Sequence, residues 1–229
     1  MIAELGNYAL ALSLAVSFFL AILPLWGAEK GHPQLMSLAR PMTYGLFFTL
    51  TIAFAALFYL FAVNDFSVQY VVNNSNRSLP IYYRLSAVWG SHEGSLLLWI
   101  WLLTLWGAAV ALFSKHLPQE AVARVLGIMG IISIGFLLFV LFTSNPFTRT
   151  FPDFPVDGRE LNPMLQDVGL IFHPPLLYMG YVGFSVAFAF AIASLMTGKL
   201  DSAWARWSRP WTIAAWVFLT LGIVLGSWW

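Results

Sequence analysis

Six long apolar stretches, none with Asp, Glu, Lys or Arg near its middle, run along this chain: Leu5 to Trp26, Met42 to Ala62, Gly94 to Phe113, Ala121 to Phe142, Leu176 to Met196 and Trp211 to Gly226. A stretch of roughly 20 apolar residues spans a bilayer as a helix, because lipid offers the backbone no hydrogen-bond partners and a helix satisfies its own. Charged residues are only 9% of 229, against about 25% in soluble domains, too few to cover a water-facing globule. Strict polar/apolar alternation is absent, which argues against a membrane barrel. The chain therefore reads as an all-α integral membrane protein. We expect a polytopic bundle of about six transmembrane helices in a single domain over 1–229, with two longer outward loops. With no cysteine it is no disulfide scaffold, and a net charge of +1 gives no electrostatic surface for nucleic acid. The lipid bilayer is its expected partner.

Lys and Arg set the expected orientation. One set of connections holds Lys30, Arg40, Lys115, Arg124, Lys199, Arg206 and Arg209 against Glu29, Glu120 and Asp201, a balance of +4. The other holds Arg77, Arg84, Arg149 and Arg159 against Glu4, Asp65, Glu93, Asp153, Asp157, Glu160 and Asp167, a balance of −3. The basic excess places the first set in the cytoplasm, and so both chain ends and the acidic loops on the periplasmic face of a bacterial inner membrane. The first span is expected to stay as a helix, since Glu4 is the only charge before Glu29 and no basic leader or small-residue cleavage site is present. Trp26, Trp89, Trp204, Trp207, Trp211, Trp228 and Trp229 fall at span ends, where an interfacial aromatic belt accounts for most of them. Trp99, Trp101, Trp106 and Trp216 lie deeper and need lipid, a neighbouring helix or a bound aromatic group as partner.

The outward loops are the informative ones. The first, Val63 to Trp89, contains the turn-rich Asn73-Asn74-Ser75-Asn76. Its flank Phe66 to Val72 alternates, as a short strand or interfacial segment would, and Pro80 to Leu85 returns to the membrane as an amphipathic stretch. The second, Thr143 to about Gly169, carries Pro146, Pro152, Pro155 and Pro163, which favour extended chain over helix. The cytoplasmic His32 and His116 read as solvated surface side chains.

Two constellations carry candidate chemistry. His173 precedes Pro174-Pro175 at the mouth of the fifth span. Proline in a first helical turn wastes no amide and restricts the residue before it to an extended conformation, so the imidazole is expected on a stiff backbone, beside Phe172 and above Tyr178 and Tyr181. That presentation suits axial ligation of a metal in a flat macrocycle such as haem. From residue type alone a hydrogen-bonded interfacial histidine is the plainer reading, since one ligand makes no site. The second is Trp89-Gly90-Ser91-His92-Glu93-Gly94-Ser95, in which Ser91 or Ser95 is placed to cap a helix and Glu93 sits near its positive end. Gly94-Ser95-Leu96 after Glu93 excludes a zinc-protease helix. Arg77, Arg84, Arg149 and Arg159 share the expected face with the histidines, and guanidinium groups there suit paired carboxylates. Ionisable residues are missing from the span middles, against an ion pump or proton relay.

At Trp89 through Trp99 and at Gly169 through Gly183 (Gly-Leu-Ile-Phe-His-Pro-Pro-Leu-Leu-Tyr-Met-Gly-Tyr-Val-Gly) the sequence resembles the CcmF family, the large membrane subunits of bacterial haem lyase. The resemblance covers the whole chain. It implies haem bound at the periplasmic face and joined through its vinyl groups to the Cys-x-x-Cys-His cysteines of apocytochrome c. His173 matches the first periplasmic axial ligand and so would bind the haem iron. Trp89, His92, Glu93, Arg84, Arg159 and Tyr178 are candidates to contact the cofactor, as are Trp228 and Trp229, which match the approach to the family's tryptophan-rich WWD segment. That segment, the second periplasmic ligand and the histidines of a structural haem b lie further along than residue 229, so the chain resembles an N-terminal part and is expected to retain haem weakly by itself. Implied partners are apocytochrome c, a haem-delivery chaperone and other maturation membrane proteins. A cysteine-free scaffold cannot trap substrate thiols as mixed disulfides. The family's nitrite-reductase-dedicated paralogue shares the pattern. A transporter or structural subunit of a respiratory complex is the competing class, and would predict broken helices or an inverted repeat.

Overall fold

All six apolar stretches are helical in the computed structural model, which describes residues 1–198 and 202–229. Lys199 and Asp201 of the charge balance lie outside the described residues. The helices are α1 (Ile2–Lys30), α2 (Pro33–Ser37), α3 (Ala39–Ala62), α4 (Gln69–Asn74), α5 (Ile81–Ser86), α6 (His92–Phe113), α7 (Gln119–Phe142), α8 (Val168–Thr197) and α9 (Ser202–Trp228). Six of them are long and apolar enough to cross a membrane, α2 and α3 together forming one of these spans. The protein is thus a multi-pass membrane bundle. The described residues contain no strand, only an isolated bridge between Val68 and Arg149.

Local chemistry sets the helix ends. Gly31 adopts the left-handed conformation (φ 68°) that closes α1 by donating to the Gly27 carbonyl, and Pro33 then opens α2 behind an extended His32. Asp167 caps α8 by accepting from the Gly169 N–H. At α6, Ser91 occupies the cap position without a side-chain cap bond, and Ser95 Oγ instead donates back to the Trp89 carbonyl at 2.8 Å.

α6 is the hub, packed on α3, α7 and α8; α1 packs on α3 and α7, and α8 pairs most extensively with α9. Leu50, Leu57, Phe61, Leu97, Ile100, Leu103 and Leu126 form its fully buried centre. The deep tryptophans find partners in the chain, with one exception. Trp101 stacks on Phe54 (5.0 Å, 21°) and donates to Thr51 Oγ1; Trp106 donates to the Met179 carbonyl; Trp99 packs against Phe136 and Tyr181. Trp216 stands 60% exposed on the outer face of α9.

Two local expectations need correction. Phe66 to Val72 is not a strand: only Val68 bridges, and the chain coils into α4 from Gln69, with its Tyr70, Val71 and Val72 buried. Nor is His173 extended in front of a helix that starts at Leu176. α8 begins at Val168, so His173, Pro174 and Pro175 lie inside it. The Asp167 cap starts the helix about two turns early, and proline inside a membrane helix is tolerated when a neighbour serves the carbonyl it frees.

Candidate functional site

The two long loops sit at one end of the bundle and are bonded to each other. Gln69 N–H donates to the Thr148 carbonyl, Thr150 N–H to Ser67 and Arg159 N–H to Val72. Arg149 ties the layer to α1 by donating to Glu4, and it also reaches Ser67 and Asp65. Arg149 is thereby committed to carboxylates of its own chain. Arg84 is committed as well: its guanidinium donates to the carbonyls of Ala62 and Leu79, both at 3.1 Å, closing the end of α3. Arg159 and Arg77 are exposed in the loop layer.

Beneath this layer, α8 and α9 meet through glycine. A methyl group on Gly180 would overlap the Leu219 backbone, and one on Gly222 would stand 2.6 Å from the Leu177 Cα. Small residues let membrane helices approach this closely. The seam ends at His173. Its ring lies over Gly226, where a side chain would overlap the imidazole, and its Nδ1 is 2.7 Å from the Gly222 carbonyl. A carbonyl only accepts, so Nδ1 carries the hydrogen and a neutral ring presents its lone pair at Nε2. Metal-binding histidines are commonly oriented by this kind of bond. Trp229 closes the other side, its ring 5.6 Å from the imidazole and pressed onto Gly169.

Of the candidate residues, the structure gathers Trp89, His173 and Trp229 around the first turns of α8: Trp89 Nε1 donates to the Leu170 carbonyl at 2.8 Å. His92 and Glu93 open α6, tied to Trp89 through Ser95. Their side chains approach to 3.3 Å, with His92 exposed and Glu93 partly buried. Tyr178 lies deeper on α8, 5.0 Å from the Tyr181 ring and 6.1 Å from that of Trp99. Trp228 points outward. Arg84 and Arg159 are not drawn into this group. Among the described residues no three His, Asp or Glu converge to hold a free metal ion; His173, oriented by a backbone carbonyl, offers one nitrogen of the kind that ligates iron in a macrocycle.

Sequence reading missed the histidine's seat. Gly222-Ile223-Val224-Leu225-Gly226 is a small-xxx-small pattern, and its two glycines face Leu177 and His173 across the seam. It also missed Tyr70. That buried phenol donates to the Val88 carbonyl (3.0 Å) and accepts from the Ser91 N–H (3.2 Å), fixing the entry to α6 from α4. Gly94 is required there, since any side chain would collide with the Val88 carbonyl.

Burial pushes the Tyr70 phenol above its ordinary value, so the fold stabilises the protonated form. That contribution is complete below the unfolded value of about 10 and is lost as pH rises beyond it. Tyr70→Phe is expected to lower the thermal midpoint at neutral pH and to flatten the loss of stability above about pH 10. An unchanged alkaline profile would count against the assignment.

Comparison with known proteins gives a consistent relationship. Residues 89–229 match the family model described as "Cytochrome C assembly protein". The chain is 91% identical over 229 residues to the cytochrome c-type biogenesis protein CcmF of Haemophilus influenzae and 61% identical to that of Escherichia coli, in each case over 100% of this chain and 35% of the relative. It is 48% identical to NrfE of H. influenzae. A solved structure titled "Cytochrome c Heme Lyase CcmF" superposes with a TM-score of 0.83 at 32% identity, over 100% of this chain and 36% of that one. The chain thus spans about a third of the length of the relatives it matches.

Proposed function

The chain belongs to the cytochrome c assembly protein family, and from that premise we propose that it forms part of a cytochrome c haem lyase, holding haem at the loop-bearing end of the bundle during its attachment to apocytochrome c. The observation that carries this reading is the seat of His173: an imidazole whose Nδ1 is held by the Gly222 carbonyl, so that a neutral ring carries its lone pair at Nε2. When bound, haem would supply the vinyl groups to which substrate thiols add. The chain's own part is to bind and orient. His173 would hold the haem iron, with Trp229 packed beside the imidazole, and the interlocked loops form the roof over which an apocytochrome would approach. His92, exposed at the start of α6, is available to the substrate side. Arg84 has its guanidinium on backbone carbonyls, so Arg159 is the better placed of the two for a haem propionate. In this reading the loop-bearing end is periplasmic, and a delivery chaperone and other maturation membrane proteins act there.

The full-length protein, loaded with haem and supplied with its maturation partners, is expected to convert a reduced apocytochrome c peptide bearing one Cys-x-x-Cys-His motif into a covalent adduct. Mass spectrometry of the denatured peptide reads the added haem. No adduct under conditions where haem is bound would overturn the proposal.

A further inference from the structure

Proline inside a helix withdraws one amide and strands the carbonyl four residues before it. For Pro174 that carbonyl belongs to Leu170, only 2% exposed. In a buried, low-dielectric setting an unserved carbonyl is costly. The donor that reaches it comes from another element: Trp89 Nε1, at 2.8 Å. Trp89 is itself held in place. It ends a short 3-10 turn (Ala87–Trp89), its own carbonyl accepts from Ser95 Oγ, its ring meets the Phe58 ring edge-on at 5.8 Å, and the neighbouring Val88 carbonyl is bonded by Tyr70.

We propose that Trp89 is a positioning residue whose indole N–H replaces the amide missing at Pro174 and so holds the turn of α8, Leu170 to His173, that presents the imidazole. This gives Trp89 a role other than contact with the cofactor. α8 continues through Pro174, with the Leu170 carbonyl that this proline strands served from outside the helix. The replacement of one donor by another stands on this structure alone; its consequence for iron rests on the reading of His173 as a haem ligand.

The test is a double-mutant cycle in the full chain in detergent: Trp89→Phe, Pro174→Ala and the pair. Trp89→Phe keeps an aromatic ring and removes the N–H, and is expected to lower the thermal midpoint by roughly 2–6 °C. In the Pro174→Ala background, where residue 174 regains an amide for Leu170, the same change is expected to cost less than a third of that. An equal shift in both backgrounds overturns the proposal. Should Trp89→Phe fail to accumulate, recovery of folded protein in the pair supports it, and failure of the pair overturns it. With haem bound, Trp89→Phe is expected to alter the low-spin absorption and electron paramagnetic resonance signature, and Pro174→Ala to restore it. A haem spectrum indifferent to His173→Asn would remove the ligand reading while leaving the Trp89–Pro174 coupling to be judged on the midpoints.

Discussion

His173→Ala in the full-length protein is expected to abolish covalent haem attachment to apocytochrome c, and added imidazole to restore part of it. Loss of an outer-shell partner of a metal ligand costs roughly 10–100-fold in affinity or activity, and loss of the ligand itself should exceed that. Alanine, however, removes two things: the nitrogen offered to iron, and the Nδ1 hydrogen bond to Gly222 that helps to join α8 to α9. His173→Asn separates them. The asparagine amide occupies the place of Nδ1 and can still donate to the Gly222 carbonyl, but nothing stands where Nε2 was. If ligation is the function, the asparagine variant folds like the parent and assembles no cytochrome c. If the histidine serves only to join the helices, the asparagine variant is active. Covalent haem in a reporter cytochrome, measured beside the thermal midpoint of each variant, decides between the two.

Gly180→Leu is expected to produce the largest loss of stability. Gly180 abuts the backbone of Leu219, which no rotamer change can move aside. Overpacking costs about 1–3 kcal/mol where side chains can yield, and the upper end of that range applies against backbone. A fall in midpoint of about 6–12 °C follows. Apolar side chains gain little from leaving lipid for one another, so close contact is what holds two membrane helices together, and α9 should part from α8. Because Gly222 and Gly226 form the seat of His173, the same substitution should weaken haem binding in the full-length protein. Gly45→Leu is the control: it lies on a membrane helix with open space where its side chain would go, and should leave both measurements unchanged. Equal behaviour of the two variants would refute the role of the seam.

Several of the corrections share a cause. The rule that a residue before proline is extended holds at His32, where the left-handed Gly31 has just ended α1, and fails at His173, where Asp167 has already started a helix. Alternation at Phe66 to Val72 gave way to a helical turn because the loop layer buries Tyr70, Val71 and Val72 together. Arg84 and Arg149 read from the sequence as guanidinium groups suited to paired carboxylates of a ligand, yet each is engaged within its own chain, Arg84 by the Ala62 carbonyl and Arg149 by Glu4.

Hydropathy is a local property carried by most residues of a membrane span; six spans, their approximate limits and two structured loops were therefore written in the amino-acid order, as was the motif around His173. The partners of that motif were not. Trp89 lies 81 positions from Leu170, and Gly222 lies 49 from His173. Which donor meets a stranded carbonyl, and which carbonyl orients an imidazole, depends on how helices cross, and that is fixed only when close contacts such as Gly180 on Leu219 bring their backbones together.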